Sequence, residues 1–398
     1  MRPVRAAALL GLCLFPLPAC LAACGERAPP AAHATESVRA VLPDTAFSRL
    51  FRELSEPGGY FDTDNLISNE TSYLHVLGTL RQRATRGGAY IGVGPDQSFS
   101  YMAAVRPEVA FIIDIRRDNA LQHLLFKALF ALAPTRVEYL SLLVGAPAPE
   151  DPAAWWDRSI DDIVARLDGV PRDAVAAGRA RARVDSAVVT YGVPLSEEDL
   201  ATIGRFHGEF IRRGLDLRFT SFGRSPQPYY PTLRQLVLET DLDGRRGSFL
   251  ARRKDYVFLR GMQVTNRVVP VVGDLAGPHA LRAVGEEIRR RGLTVSAFYT
   301  SNVEFYVYRA GTFQTFASNV ASLPIDESSL LIRSYFPSAR GIHPFAVRGY
   351  RSTQLLQTLE SLRERASGAG YGSYWDLVTL DVLDPRVSAG GEGGGGAP

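Results

Sequence analysis

Apolar residues along this chain gather into short unbroken runs closed by turn residues, and these runs set the expected architecture. Tyr90-Ile91-Gly92-Val93-Gly94 is one such run, ending in a glycine turn, and Val109-Ala110-Phe111-Ile112-Ile113-Asp114 is a second. Val268-Val269-Pro270-Val271-Val272-Gly273-Asp274 is a third, followed by residues 294–299 and 329–334. Runs of this length without polar alternation predict strands buried on both faces, as in parallel sheets. Helical periodicity fills the gaps. Tyr73, Val76, Leu77 and Leu80 share one face of a helix predicted over 70–80, with Ser68 or Asn69 as N-cap. Further helices are predicted over 97–105, closed by Pro107, and over 119–132 and 278–291. Strand alternating with helix is the βαβ pattern, which predicts an α/β fold around a mostly parallel sheet with helices on both faces. Residues 134–231 break the rhythm with helical pieces over 155–167 and 197–213, and read as a mainly helical insertion beside one end of the sheet.

The ends of the chain read differently. Arg2 and Arg5 precede an apolar run over 6–15 that is too short to span a bilayer but suits a secretory leader. That leader ends in Leu21-Ala22-Ala23-Cys24, the pattern of a bacterial lipobox, in which Cys24 becomes the lipidated first residue. The expected organisation is a lipoprotein signal peptide over 1–23, a flexible Ala/Pro/Glu tether over 24–44, a folded body over 45–385 and a Gly-rich tail over 386–398. The expected location is the cell envelope, lipid-anchored and facing the periplasm. A plain secretory signal cut near Ala23 stays open as the alternative, and gives a soluble periplasmic protein.

Composition removes several chemistries. All three cysteines, Cys13, Cys20 and Cys24, lie in the leader segment, so the body has no thiolate metal site, disulfide framework or catalytic cysteine. The formal charge of +3 becomes +1 when Arg2 and Arg5 leave with the leader, and no nucleic-acid partner is expected. The six histidines show no metal-ligand spacing, so no metal is expected. A small molecule is the expected partner of the body, with membrane contact through the N-terminal lipid alone.

In an open sheet of this type a ligand sits beyond the carboxyl ends of the strands, so the strand-ending residues carry the chemical information. Gly92 and Gly94 end the first strand, where absent side chains allow close approach to the backbone. Asp114 ends the second, 20 residues after Gly94, a spacing at which a carboxylate can accept both hydroxyls of a ribose. Asp274 ends the third, and Tyr299-Thr300-Ser301-Asn302 ends the fourth. This order resembles the class I S-adenosylmethionine-dependent methyltransferases, a Rossmann-like superfamily, over 70–133 and 266–333.

The resemblance implies a Rossmann-like fold with S-adenosylmethionine as cofactor. It implies Gly92 and Gly94 as the loop under the methionine part, Asp114 as the ribose ligand and Asp274 as the adenine contact. Tyr299 joins the cofactor side, and Asn302 starts the substrate side, with Glu304 and His75 as further candidates for catalysis. Two departures bear on it. Asp96 stands where the family's loop usually carries a third glycine, and Ser301-Asn302-Val303-Glu304 replaces the Pro-Pro-aromatic signature of enzymes that methylate amino groups. Gln97 also departs from the dinucleotide fingerprint of nicotinamide dehydrogenases. Since S-adenosylmethionine is made in the cytosol, export leaves two readings: an enzyme using this or another nucleotide-like compound, or a methyltransferase-shaped binding protein without catalysis.

Overall fold

Six strands form one sheet in the computed structural model, which describes residues 41–225, 227–337 and 341–386. They are β1 (Ala89–Gly92), β2 (Val109–Asp114), β3 (Val268–Val272), β4 (Val295–Ser301), β5 (Leu330–Tyr335) and β6 (Thr353–Thr358). Their spatial order is β3-β2-β1-β4-β5-β6. Every neighbouring pair is parallel except β5 and β6. The fold is therefore mixed α/β with a mostly parallel sheet. Strands β1 and β3 are buried at every position, and β2 at all but Asp114, which explains their continuous apolar sequence.

Pro270 sits in the middle of β3, where it has no N–H to donate. The strand order makes β3 an edge, so only one side needs a ladder and the proline is tolerated. The sixth strand, Thr353-Gln354-Leu355-Leu356-Gln357-Thr358, is absent from the sequence reading because its polar residues mask its burial. Gln354 and Gln357 are 1% and 0% exposed and engage hydroxyl groups inside the protein.

Parallel neighbours need crossovers, and helices supply them. Gln97–Val105 connects β1 to β2, Ala280–Arg290 connects β3 to β4, and Val303–Arg309 with Phe313–Ala321 connects β4 to β5. Between β2 and β3 lies a long helical stretch in which Arg117–Leu132 packs on Ala174–Val188 and Glu197–Arg213. The predicted helix over 70–80 begins late. Residues 71–76 form turns with His75 N–H donating to the Ser72 carbonyl and Leu77 N–H to that of Leu74, and the α-helix spans Leu77–Arg83. Tyr73, Leu74, Val76 and Leu77 are all buried, so this segment is enclosed on more than the one face a regular helix would turn inward.

At the front of the body, Leu42 donates to the Thr265 carbonyl (3.1 Å) and accepts from Asn266 Nδ2 (2.7 Å), which docks residues 41–44 beside β3. The expected signal peptide, Cys24, residues 24–40 of the expected tether and residues 387–398 of the expected tail lie outside the described residues. Among the described residues no helix is long and apolar enough to cross a membrane.

Candidate functional site

The strand order reverses between β1 and β4, and a cavity of about 330 Å³ opens at the carboxyl ends of the strands that flank this reversal. That size falls within the usual range for small-molecule sites, roughly 300–1,000 Å³. Gly94 and Gln97 reach it from β1, Asp114 and Arg116 from β2, Gly273 and Asp274 from β3, and Ser301 and Asn302 from β4. Parallel strands deliver all these ends to one edge, so residues far apart in sequence meet there. Gly94 has φ of 71°, a conformation a glycine accepts without strain. Its carbonyl accepts from His123 Nε2 (2.9 Å), and burial lowers the His123 pKa to about 4, so a neutral imidazole pins the loop.

A segment ahead of β1 forms the roof. Tyr60, Phe61, Asp62, Thr63 and Asn65 line the cavity, as do Phe219, Ser221, Arg224 and Tyr230 from the end of the helical stretch. Arg116 staples this roof to the sheet. Its Nε and one terminal nitrogen meet the two Asp114 oxygens at 3.1 and 3.0 Å. Its other terminal nitrogen donates to the carbonyls of Thr63 (2.9 Å) and Asp64 (2.7 Å). Arg224 in turn pairs with Asp62 at 2.6 Å.

Glu70 forms the base of the cavity and is 1% exposed. Its Oε2 accepts from the Tyr299 hydroxyl (2.7 Å) and from Gln354 Nε2 (3.1 Å), and its Oε1 accepts from the Ser301 hydroxyl. Ser301 holds φ of 54°, a strained value for a non-glycine residue, and the β4–β5 register shifts beside it. The Tyr299 proton goes to the carboxylate, which can only accept, so Gln97 must donate its Nε2 hydrogen to that hydroxyl (3.0 Å). Gln97 Oε1 then has no hydrogen-bond partner although the residue is 6% exposed.

Of the residues singled out in the sequence, Gly94, Asp114, Asp274 and Asn302 line the cavity. Asp114 already gives both oxygens to Arg116, and Oδ1 also accepts from the Arg116 backbone N–H (3.0 Å), which limits what it offers a ribose. Gly92 lies beneath: a Cβ there would meet the Tyr90 ring at 2.7 Å and Ser98 Oγ at 2.8 Å, so packing alone demands glycine. Tyr299 is fully buried, and its pKa is held well above the usual value by burial and then by Glu70. It acts here by holding Glu70.

Glu304 and His75 do not line the cavity. Glu304 is 1% exposed and bound through both oxygens by Arg333 at 2.7 and 3.1 Å; burial raises its pKa and Arg333 opposes the rise. His75 packs edge-on against Tyr350 with ring centroids 4.4 Å apart, and burial lowers its pKa to about 4. The roof residues, Glu70, Gln97 as a ligand contact and the Arg116 staple are absent from the sequence reading. The one available signal was the acid- and asparagine-rich stretch Asp62-Thr63-Asp64-Asn65 ahead of β1.

Asp96 stands at the start of the helix Gln97–Val105, and burial pushes its carboxyl up to about 7. Its unfolded value is about 3.9, so the folded state disfavours the charge and loses stability as pH rises from about 4 through 7. Asp96→Asn is expected to stabilise the protein by about 4 kcal/mol at pH 8 and by less than about 1 kcal/mol at pH 4. Urea unfolding at both pH values checks this, and an equal effect at both removes the buried-charge explanation.

A family model described as a domain of unknown function (DUF7790) matches residues 66–150 and 215–379. These two stretches include all six strands and most of the cavity wall. No curated protein matches the chain.

Proposed function

The chain belongs to the family described as a domain of unknown function (DUF7790), and on that premise we propose that its strand-end cavity binds a nucleoside-type small molecule, with S-adenosylmethionine the favoured candidate. The observation that carries this reading is the convergence of four strand ends on one cavity at the reversal of strand order. The order β3-β2-β1-β4-β5-β6, with its reversal between β1 and β4, supports a Rossmann-like reading, since in open α/β sheets ligands occupy the crevice at such a reversal. The residues present fit such a ligand in three respects. Gly94 leaves backbone accessible after β1, Gln97 lines the cavity with a polar side chain, and one Asp274 oxygen accepts from Ala276 N–H while no bond to the other is seen among the described residues. In this proposal Asp274, Gln97 and Asn302 hold the ligand, and Asp114 supports the site by fixing Arg116.

Binding without catalysis is a second reading, favoured by the placement of Glu304 in the grip of Arg333 and of His75 away from the cavity wall. When bound, S-adenosylmethionine would supply a transferable methyl group. Titration calorimetry on the folded body tests both readings. Saturable binding of S-adenosylmethionine is expected, and Asp274→Ala should weaken it by about 1.5–3 kcal/mol, the range for a hydrogen bond to a charged group. Absence of binding at millimolar ligand rejects the nucleoside reading. Mass spectrometry of the ligand after incubation with cell-envelope extract separates the two: intact donor supports binding alone, and S-adenosylhomocysteine supports transfer.

A further inference from the structure

Four carboxylates line the cavity, Asp62, Glu70, Asp114 and Asp274, against two guanidinium groups, Arg116 and Arg224. Each arginine is paired with an aspartate, Arg116 with Asp114 and Arg224 with Asp62. Glu70 is held by two hydroxyls and an amide, and Asp274 by a backbone N–H, so neither carboxylate meets a cationic side chain among the described residues. Among the described residues no lysine or histidine joins the wall. The cavity thus carries two negative charges that no cationic side chain among the described residues pairs, and Gln97, more than nine-tenths buried, lines it beside them. Aromatic side chains complete the wall: Tyr60, Phe61, Phe219, Tyr230 and Tyr306, with Phe61 and Tyr306 edge to face at 5.1 Å. Acceptors and aromatic rings without a free positive group attract a cation and repel phosphate.

We infer that this site selects positively charged organic ligands, a sulfonium or ammonium compound, and excludes phosphate-bearing nucleotides. For S-adenosylmethionine this rests on the nucleoside reading above, and the discrimination is in the charged centre: the sulfonium compound is held and its neutral thioether, S-adenosylhomocysteine, is held less well. The two share every other group, so the ratio of their affinities isolates the charge.

Calorimetry with S-adenosylmethionine, S-adenosylhomocysteine and adenosine diphosphate supplies the test. The sulfonium compound is expected to bind about tenfold or more tightly than the thioether, as an interaction of about 1.4 kcal/mol produces, and the diphosphate is expected not to bind. Asp274→Asn, which keeps an acceptor but removes its charge, should weaken the sulfonium compound more than the thioether and so shrink the ratio several-fold. Equal or tighter binding of the thioether, or binding of the diphosphate, overturns the inference and leaves the nucleoside reading intact. If neither adenosyl compound binds, the nucleoside reading fails and the charge inference is judged by thermal shift with choline against its uncharged tert-butyl isostere. Stabilisation by choline alone, lost in Asp274→Asn, sustains the inference; equal shifts or none overturn it.

Discussion

Arg333→Met is expected to lower the unfolding free energy by about 3–5 kcal/mol, the cost of removing one partner from a buried ion pair. Arg333 lies in β5 with its side chain 1% exposed, and its partner Glu304 is at 2%. Two nitrogens bind the Glu304 carboxylate, and the third donates to the Leu377 carbonyl at 2.7 Å, tying β5 to the helices Val303–Arg309 and Tyr374–Thr379. Methionine fills part of the volume but leaves a buried carboxylate without its counter-charge. Changing Glu304 to Leu in the same chain should recover much of the loss, because replacing both members of such a pair by apolar groups is often close to neutral. Chemical unfolding of the wild type, the single variant and the double variant checks this. A single variant within about 1 kcal/mol of wild type contradicts it, since surface ion pairs contribute no more than that.

The second large effect concerns the roof. Arg116→Ala removes the partner of a half-buried carboxylate and uncovers the carbonyls of Thr63 and Asp64 together. Each buried group left unpaired costs about 1–3 kcal/mol, so a loss of about 3 kcal/mol is expected. The loss should also be local, because Arg116 joins residues 63 and 64 to the end of β2. Limited proteolysis of the variant is expected to cut within residues 56–66 faster than the rest of the body. Asp114→Asn keeps an oxygen for Arg116 and should cost less on both measures. An unchanged melting temperature with unchanged cleavage in that segment would falsify the staple.

The sheet was legible where burial on both faces forced continuous apolar runs, as in β1, β2 and β3. It was illegible at β6, whose two glutamines are buried because Ser334, Tyr101, Glu70 and Tyr371 supply their hydrogen bonds. No local pattern reveals a partner 284 residues away, as Gln354 is from Glu70. The candidate site divides along the same line. Gly94, Asp114, Asp274 and Asn302 could be placed because a parallel sheet delivers its strand ends to one edge. Arg116 and Gln97 stand beside strand ends that the sequence places, but their bonds to Thr63, Asp64 and Tyr299, like the place of Glu70, follow from tertiary contacts alone. Glu304 and His75 share residue types with catalytic groups, yet the sequence does not show that one meets Arg333 and the other Tyr350.

The central claim is that a ligand occupies the strand-end cavity, and amide hydrogen exchange with and without millimolar S-adenosylmethionine tests it most directly. A bound ligand is expected to slow exchange over residues 60–70, 93–97 and 301–307, which enclose the cavity from three separate parts of the chain. The helices Ala174–Val188 and Ala280–Arg290 contribute nothing to its wall and should keep their rates. Slowing confined to segments outside the cavity, or unchanged exchange at all three, would contradict the claim.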